Sequence, residues 1–144
     1  MFDVVRLDLP LDQAVFDVLP TQGANIALTV CRTHGDDTGV AQALAKANLY
    51  HVSSAKDEVP RPWFVTAELI ERCPQLVAIS TYGAGFDTVD VEACTRAGLC
   101  VVNQAGSNAQ AVAEHTLGLM LGLAKRINEC DRRLRRGDRF ARQE

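Results

Sequence analysis

Apolar positions along this chain follow two alternating periods: short β-rich runs, and longer stretches with apolar residues three or four apart. Val4-Val5 with Leu7 reads as a first strand, Leu11 to Leu19 as a short helix, and Ala27-Leu28-Thr29-Val30 as a second strand. A helix follows from about Asp37 to Ala47, with Val40, Leu44 and Ala47 on one face at i, i+4 and i+7. Leu49 to Val52 makes a third strand. Pro60 and Pro62 turn Lys56 to Trp63 into a loop. Thr66 can cap a helix that runs to Cys73 and is closed by Pro74. Leu76 to Ser80 is a continuous apolar run of the kind buried on both faces of a sheet. Val91 to Ala97 is a short helix ended by Gly98, and Leu99 to Val102 is a fifth strand.

Strands alternating with helices predict a parallel sheet with right-handed crossovers, covered by helices on both faces. The expected fold is α/β: a flavodoxin-like, doubly wound domain with a five-stranded parallel sheet. The last element breaks the pattern. AQAVAEHTLGLMLGLAKRI, from Ala109 to Ile127, reads as one long helix that is apolar almost all round. A helix following the fifth strand has one face to give that sheet, so something else should cover the rest. Gly118 and Gly122 would allow close approach of another helix. A boundary at residue 108 follows, with 1–108 as the sheet domain and 109–144 as the first helix and tail of something further.

Charge sharpens this division. The net charge of −3 points to no nucleic-acid or anionic-membrane partner. Residues 1–124 hold 7 basic and 14 acidic side chains, whereas 125–144 hold 8 and 4. The arginines of DRRLRRGDR have no interleaved aromatics to stack on bases, so a solvated helix face is the better reading. It would be helped by Glu129–Arg133 and Asp131–Arg135 pairs at i, i+4. The odd count of 5 cysteines, without a C-x-x-C pair, argues against a disulfide framework and a zinc site. The N-terminus carries acids where a secretory signal needs a basic start. The longest apolar stretch, Thr116 to Ala124, is about half the ~20 residues of a membrane span. A cytoplasmic, soluble protein with reduced thiols is expected.

Two loops carry candidate chemistry, each at the carboxyl end of a strand, where open α/β sheets place ligands. In Ser80-Thr81-Tyr82-Gly83-Ala84-Gly85-Phe86-Asp87-Thr88-Val89-Asp90, two glycines two apart allow a sharp turn. Such a turn aims successive N–H groups into one cavity, a nest for a carboxylate or phosphate. A tight strand-to-helix turn without a ligand is an equal reading. A dinucleotide fingerprint is not: Thr88 stands at the third glycine position, and the next strand ends in Asn103 instead of an acid. The second loop, Asn103 to Asn108, leads into the long helix, and Asn108 is a good N-cap.

The run TYGAGFDTVDVEACTRAGLCVVNQAGSNAQAVAEHTLGLMLGLAKRI resembles the D-isomer-specific 2-hydroxyacid dehydrogenases, the family of phosphoglycerate dehydrogenase and glyoxylate reductase. The resemblance combines the G-x-G-x-D-x-V-D turn, the A-G before the next strand, the V-x-N-x-x-G-x-N loop and V-A-E-H with its leucine-rich helix. It is close over residues 76–127 and looser before them. It implies an NAD-dependent oxidoreductase acting on a small 2-hydroxy or 2-oxo acid. Tyr82, Gly83, Ala84 and Gly85 would then line the substrate, with the backbone N–H groups of Ala84 and Gly85 holding its carboxylate. Asn108 would face both the substrate and the nicotinamide carboxamide, and Val112 would pack near the nicotinamide ring. The helix from Ala109 would cross into a nucleotide-binding domain and pair with a second subunit.

Three departures stand out. Ala105 replaces the usual Pro, and Ser53 replaces an Arg that contacts substrate in relatives, with Lys56 the candidate to take its place. The sequence also ends at Glu144, about where the strand leading into G-x-G-x-x-G should follow. The family's catalytic arginine, acid and histidine fall beyond that point, and none of His34, His51 and His115 takes the histidine's role. The expectation is a chain that is silent by itself. Two alternatives are a module that captures a small carboxylate without turnover, and a helix-mediated oligomerisation domain.

Overall fold

The computed structural model describes residues 1–8 and 25–139. The helix expected at Leu11 to Leu19 lies outside these. Five strands, β1 (Phe2–Leu7), β2 (Ile26–Cys31), β3 (Leu49–Ser53), β4 (Ala78–Tyr82) and β5 (Cys100–Val102), form one sheet in the order β2-β1-β3-β4-β5. Every pairing is parallel. This is the flavodoxin-like order anticipated from the sequence.

The register explains where the core sits. Val5, Tyr50, Ile79 and Val101 are cross-strand neighbours and share one face. On that side they join Leu7, Val52, Leu44, Leu69 and Trp63 in the hydrophobic core. The opposite face carries the row Arg6, His51, Ser80 and Val102. Here the sequence reading needs correction. Leu76 and Val77 precede β4, Val77 is exposed, and only Ile79 and Thr81 of the strand are fully buried. An uninterrupted apolar run thus became a strand with one dry face, because Ser80 and Ala78 point to the more polar side.

Local chemistry starts the helices where expected. Asp36 caps α1 (Asp37–Leu44) by accepting from Gly39 N at 3.0 Å, and Val40 and Leu44 are its buried residues. Thr66 caps α2 (Ala67–Arg72) by accepting from Leu69 N. Asp90 caps α3 (Val91–Arg96) by accepting from Ala93 N at 2.8 Å. Inside the proline-bearing loop, Arg61–Trp63 forms a single 3-10 turn, and Trp63 is buried there. Its carbonyl accepts from the hydroxyl of fully buried Tyr50.

The chain divides into two compact units, Met1–Ala105 and Gly106–Glu144. In the second, the helix expected from Ala109 to Ile127 ends at Ala124, and the tail, expected to offer a solvated helix face, forms a helix of its own. The first, α4 (Ala109–Ala124), stops before Arg126, which has a left-handed backbone (φ 51°), and α5 (Ile127–Arg135) follows. A left-handed non-glycine residue costs roughly 1–2 kcal/mol. Arg126 offsets this with a two-pronged contact, Nε at 2.8 Å and Nη2 at 2.6 Å from the Glu129 oxygens. Glu129 therefore takes Arg126 as partner, while Asp131 pairs with Arg135 as expected. Among the described residues no helix is long and apolar enough to cross a membrane.

The Asp90 cap gives a direct test of this account. Asp90→Ala removes the acceptor for Ala93 N–H and should lower unfolding free energy by about 1 kcal/mol. Asp90→Asn should recover most of that loss in urea melts.

Candidate functional site: the turn after β4, at the carboxyl ends of β3, β4 and β5

Because β3, β4 and β5 are neighbours, the segments that follow them converge. The turn after β4 is pinned from both sides. Ser54, just after β3, donates its hydroxyl to the Tyr82 carbonyl at 2.9 Å. From the β5 side, Gln104 N donates to the Gly83 carbonyl at 2.9 Å, and Asn103 Nδ2 donates to the Ala84 carbonyl at 2.9 Å. Thr81 Oγ1 donates to the Gly85 carbonyl at 2.9 Å, and Val89 N to the Phe86 carbonyl at 2.9 Å. Every carbonyl from Tyr82 to Phe86 is thus occupied by a donor of the protein. The N–H groups of Ala84 and Gly85, by contrast, meet no acceptor among the described residues.

This asymmetry has an electrostatic consequence. A turn whose carbonyls are all occupied while the Ala84 and Gly85 donors stay open presents positive partial charge at those two residues, as an anion nest does. Gly83 has φ +93°, a conformation that side-chain-bearing residues rarely adopt. Gly85 packs closely on Ser54: a Cβ there would lie 3.3 Å from the Ser54 Cβ and Oγ, so that side chain would have to shift. Tyr82, one of the residues the sequence put at the substrate, is exposed beside the turn.

Ser53 behaves differently from the expectation. It is 1% exposed, and its hydroxyl donates to the Glu58 carboxylate while its carbonyl accepts from Thr88 Oγ1. It ties the loops after β3 and β4 together, while its neighbour Ser54 bonds to the turn. Lys56 is exposed on the loop after β3. Ser54, Thr81 and Gln104 were given no role in the sequence reading. Their only signal there is polarity at strand ends, which many loops share.

The turn does not suit a nucleotide's phosphates. Thr88, at the third glycine position, is buried and bonded to the Ser53 carbonyl. The carboxylate of Asp90 occupies the N-terminus of α3, where a pyrophosphate would otherwise sit. His51 lies in the body of β3, its Nδ1 3.0 Å from Ser80 Oγ. Burial, with the Arg6 charge adding, holds its imidazole below the usual histidine range. His34 and His115 are exposed. Among the described residues no three His, Cys, Asp or Glu side chains gather as a metal site.

In the second unit Asn108 stands at the N-cap of α4, but its side chain accepts no hydrogen bond from the first turn. The capping role expected for that side chain is unfilled, so its amide is not committed to the helix. Val112, one turn on, is exposed.

Comparison with known proteins now gives the family. The model for the catalytic domain of the D-isomer specific 2-hydroxyacid dehydrogenases matches residues 13–143, and the chain belongs to that family. It is 41% identical over 73 residues to a glyoxylate reductase of Thermofilum pendens, covering 51% of this chain and 22% of that protein. It is 37% identical over 100 residues to a D-3-phosphoglycerate dehydrogenase of Mycobacterium leprae, covering 69% of this chain and 18% of that one. The fold is shared with a D-lactate dehydrogenase from Aquifex aeolicus complexed with NAD and lactic acid. That likeness has a TM-score of 0.72 at 23% identity, over 96% of this chain and 38% of the other. The matched stretches thus span less than half of these relatives.

The two glycines should respond differently to substitution. Gly83→Ala places a side chain in the left-handed region and should cost about 1–2 kcal/mol. Ser54→Gly, which opens the space beside Gly85, should make Gly85→Ala less destabilising than it is alone. A double-mutant cycle by urea denaturation reads both.

Proposed function

We propose that residues 1–144 supply the substrate-carboxylate site of an NAD-dependent oxidoreductase that interconverts a D-2-hydroxy acid and its 2-oxo acid. The observation that carries this is the Tyr82–Phe86 turn, whose carbonyls are all occupied while the Ala84 and Gly85 N–H groups remain open. Those two donors match the two oxygens of a carboxylate. Holding that carboxylate fixes C2 of the acid relative to the rest of the site, which is a positioning contribution. Asn108, with its side chain uncommitted to capping, is assigned to the substrate and the nicotinamide carboxamide, and Val112 to the nicotinamide ring. NAD, when bound, supplies the hydride acceptor. Its phosphates find no cradle in the turn, so they are assigned, with the arginine, acid and histidine of catalysis, to chain beyond these residues. The five cysteines are unbonded and three are buried, in keeping with a cytoplasmic location.

Binding can be checked amide by amide. Millimolar glyoxylate or lactate should shift the Ala84 and Gly85 signals, and Gly85→Val should abolish the response with the remaining spectrum intact. A well-dispersed spectrum with neither amide responding would favour a plain turn. Residues 1–144 should neither reduce 2-oxo acids nor bind NAD at micromolar concentration. Turnover above a buffer control would overturn that assignment.

A helix-borne association accompanies this reading. No residue of α4 is buried, and Leu117, Leu119, Met120, Leu121 and Leu123 are exposed, Leu123 at 80%. Burying one large aliphatic side chain is worth roughly 1.5–3 kcal/mol, so a patch of this kind tends to find a partner. We assign α4 to a homo-oligomeric contact with Gly118 and Gly122 at its centre. Sedimentation equilibrium should show self-association of residues 1–144 that Leu117→Glu or Leu121→Glu abolishes. A wild-type monomer at high micromolar concentration that binds no hydrophobic dye would overturn it.

A further inference from the structure

We propose that Asn103 is a positioning residue for the carboxylate site: by holding the Ala84 carbonyl, its side chain aims the Gly85 N–H at the bound anion. This rests on the carboxylate reading above and adds to it the residue that sets one of the two assigned donors. Asn103 Nδ2 donates to the Ala84 carbonyl at 2.9 Å, and Asn103 Oδ1 accepts from Ala105 N at 3.2 Å. Both ends of the side-chain amide are therefore engaged, whereas a carboxylate of the same shape would offer acceptors only.

The rigidity of the peptide bond turns this contact into control of a donor. A peptide unit is planar and trans, so its C=O and N–H point in opposite directions. The Ala84 carbonyl and the Gly85 N–H belong to one such unit, and among the described residues no peptide is cis. With the carbonyl tied to Asn103, the Gly85 N–H faces away from the Asn103 amide, and no acceptor of the described residues meets it. The preceding unit is held from the same segment: Gln104 gives its backbone N–H to the Gly83 carbonyl, which fixes the direction of the Ala84 N–H. The Phe86 N–H shares a unit with the Gly85 carbonyl, held by Thr81 Oγ1, so its direction is set within the β4 segment and not by Asn103. Of the two donors assigned to the carboxylate, Ala84 is thus set by a main-chain contact and Gly85 by a side chain. The register delivers that side chain. Ser80 pairs with Val102, so the residue after β5 runs beside the segment leading into the turn, although Asn103 and Ala84 are 19 positions apart in sequence.

Asn103→Ala removes both contacts, whereas Asn103→Asp keeps the acceptor for Ala105 N and sets a second acceptor against the Ala84 carbonyl. Without ligand, the Ala84 carbonyl-carbon and Gly85 nitrogen resonances of residues 1–144 read the clamp, and both should move upfield in either variant. On titration with glyoxylate, Ala84 and Gly85 of the wild type should respond together. In both variants the Gly85 response at saturation should shrink relative to that of Ala84, and affinity should fall about fivefold, the effect of one lost hydrogen bond. A residue that only held its own loop would leave the ligand-free resonances of the Asp variant in place and weaken the two responses in equal proportion. Either of those results, or wild-type affinity in Asn103→Ala, would overturn the proposal. A wild type in which neither amide answers glyoxylate, while the ligand-free resonances move as stated, would instead overturn the carboxylate reading.

Discussion

The site depends on how the carbonyl groups of one five-residue turn are satisfied. A backbone turn carries donors and acceptors in equal number, so by itself it has no preference for anions. Here Ser54, Thr81, Asn103, Gln104 and Val89 each donate to one carbonyl between Tyr82 and Phe86. That leaves the N–H groups of Ala84, Gly85 and Phe86 without an acceptor among the described residues. On the proposed carboxylate reading, sign selectivity would need no cationic side chain in the turn, and would avoid the desolvation cost that a buried lysine or arginine brings.

The sheet order is the second constraint, since it brings those donors together. Ser54 follows β3, Asn103 and Gln104 follow β5, and the turn follows β4 between them. The parallel arrangement places all three segments at the same edge. Ser53 adds a brace beneath, its hydroxyl on Glu58 and its carbonyl on Thr88, so the loops after β3 and β4 cannot drift apart independently. A buried, doubly bonded serine at that position holds the loops together in a way that an arginine reaching outward could not.

The second unit has a different physics. Its helix α4 has no buried residue, and its central leucines and Met120 are exposed. The left-handed Arg126, held by Glu129, separates this apolar helix from the charged α5.

Much of the architecture was legible in the amino-acid order. Alternation of apolar runs marked the strands, and Thr66 marked a helix start, because capping is decided by side chains within three residues of the amide they serve. The G-x-G pair and the N-x-x-G-x-N loop pointed to the site's segments and to the family. What could not be read locally was every relation between segments. Gln104 and Gly83 are 21 residues apart and meet only through the β4–β5 register. Ser53 and Ser54 look equivalent in sequence, yet the pleat sends one into the interior and the other to the turn. Val77 looked buried until the strand began at Ala78, and the long helix ended at Ala124, short of the left-handed Arg126. Local propensity is a property of neighbouring residues, and the sequence carries it. Which carbonyl finds which donor depends on how strands pair across the sheet, and only the tertiary structure decides that.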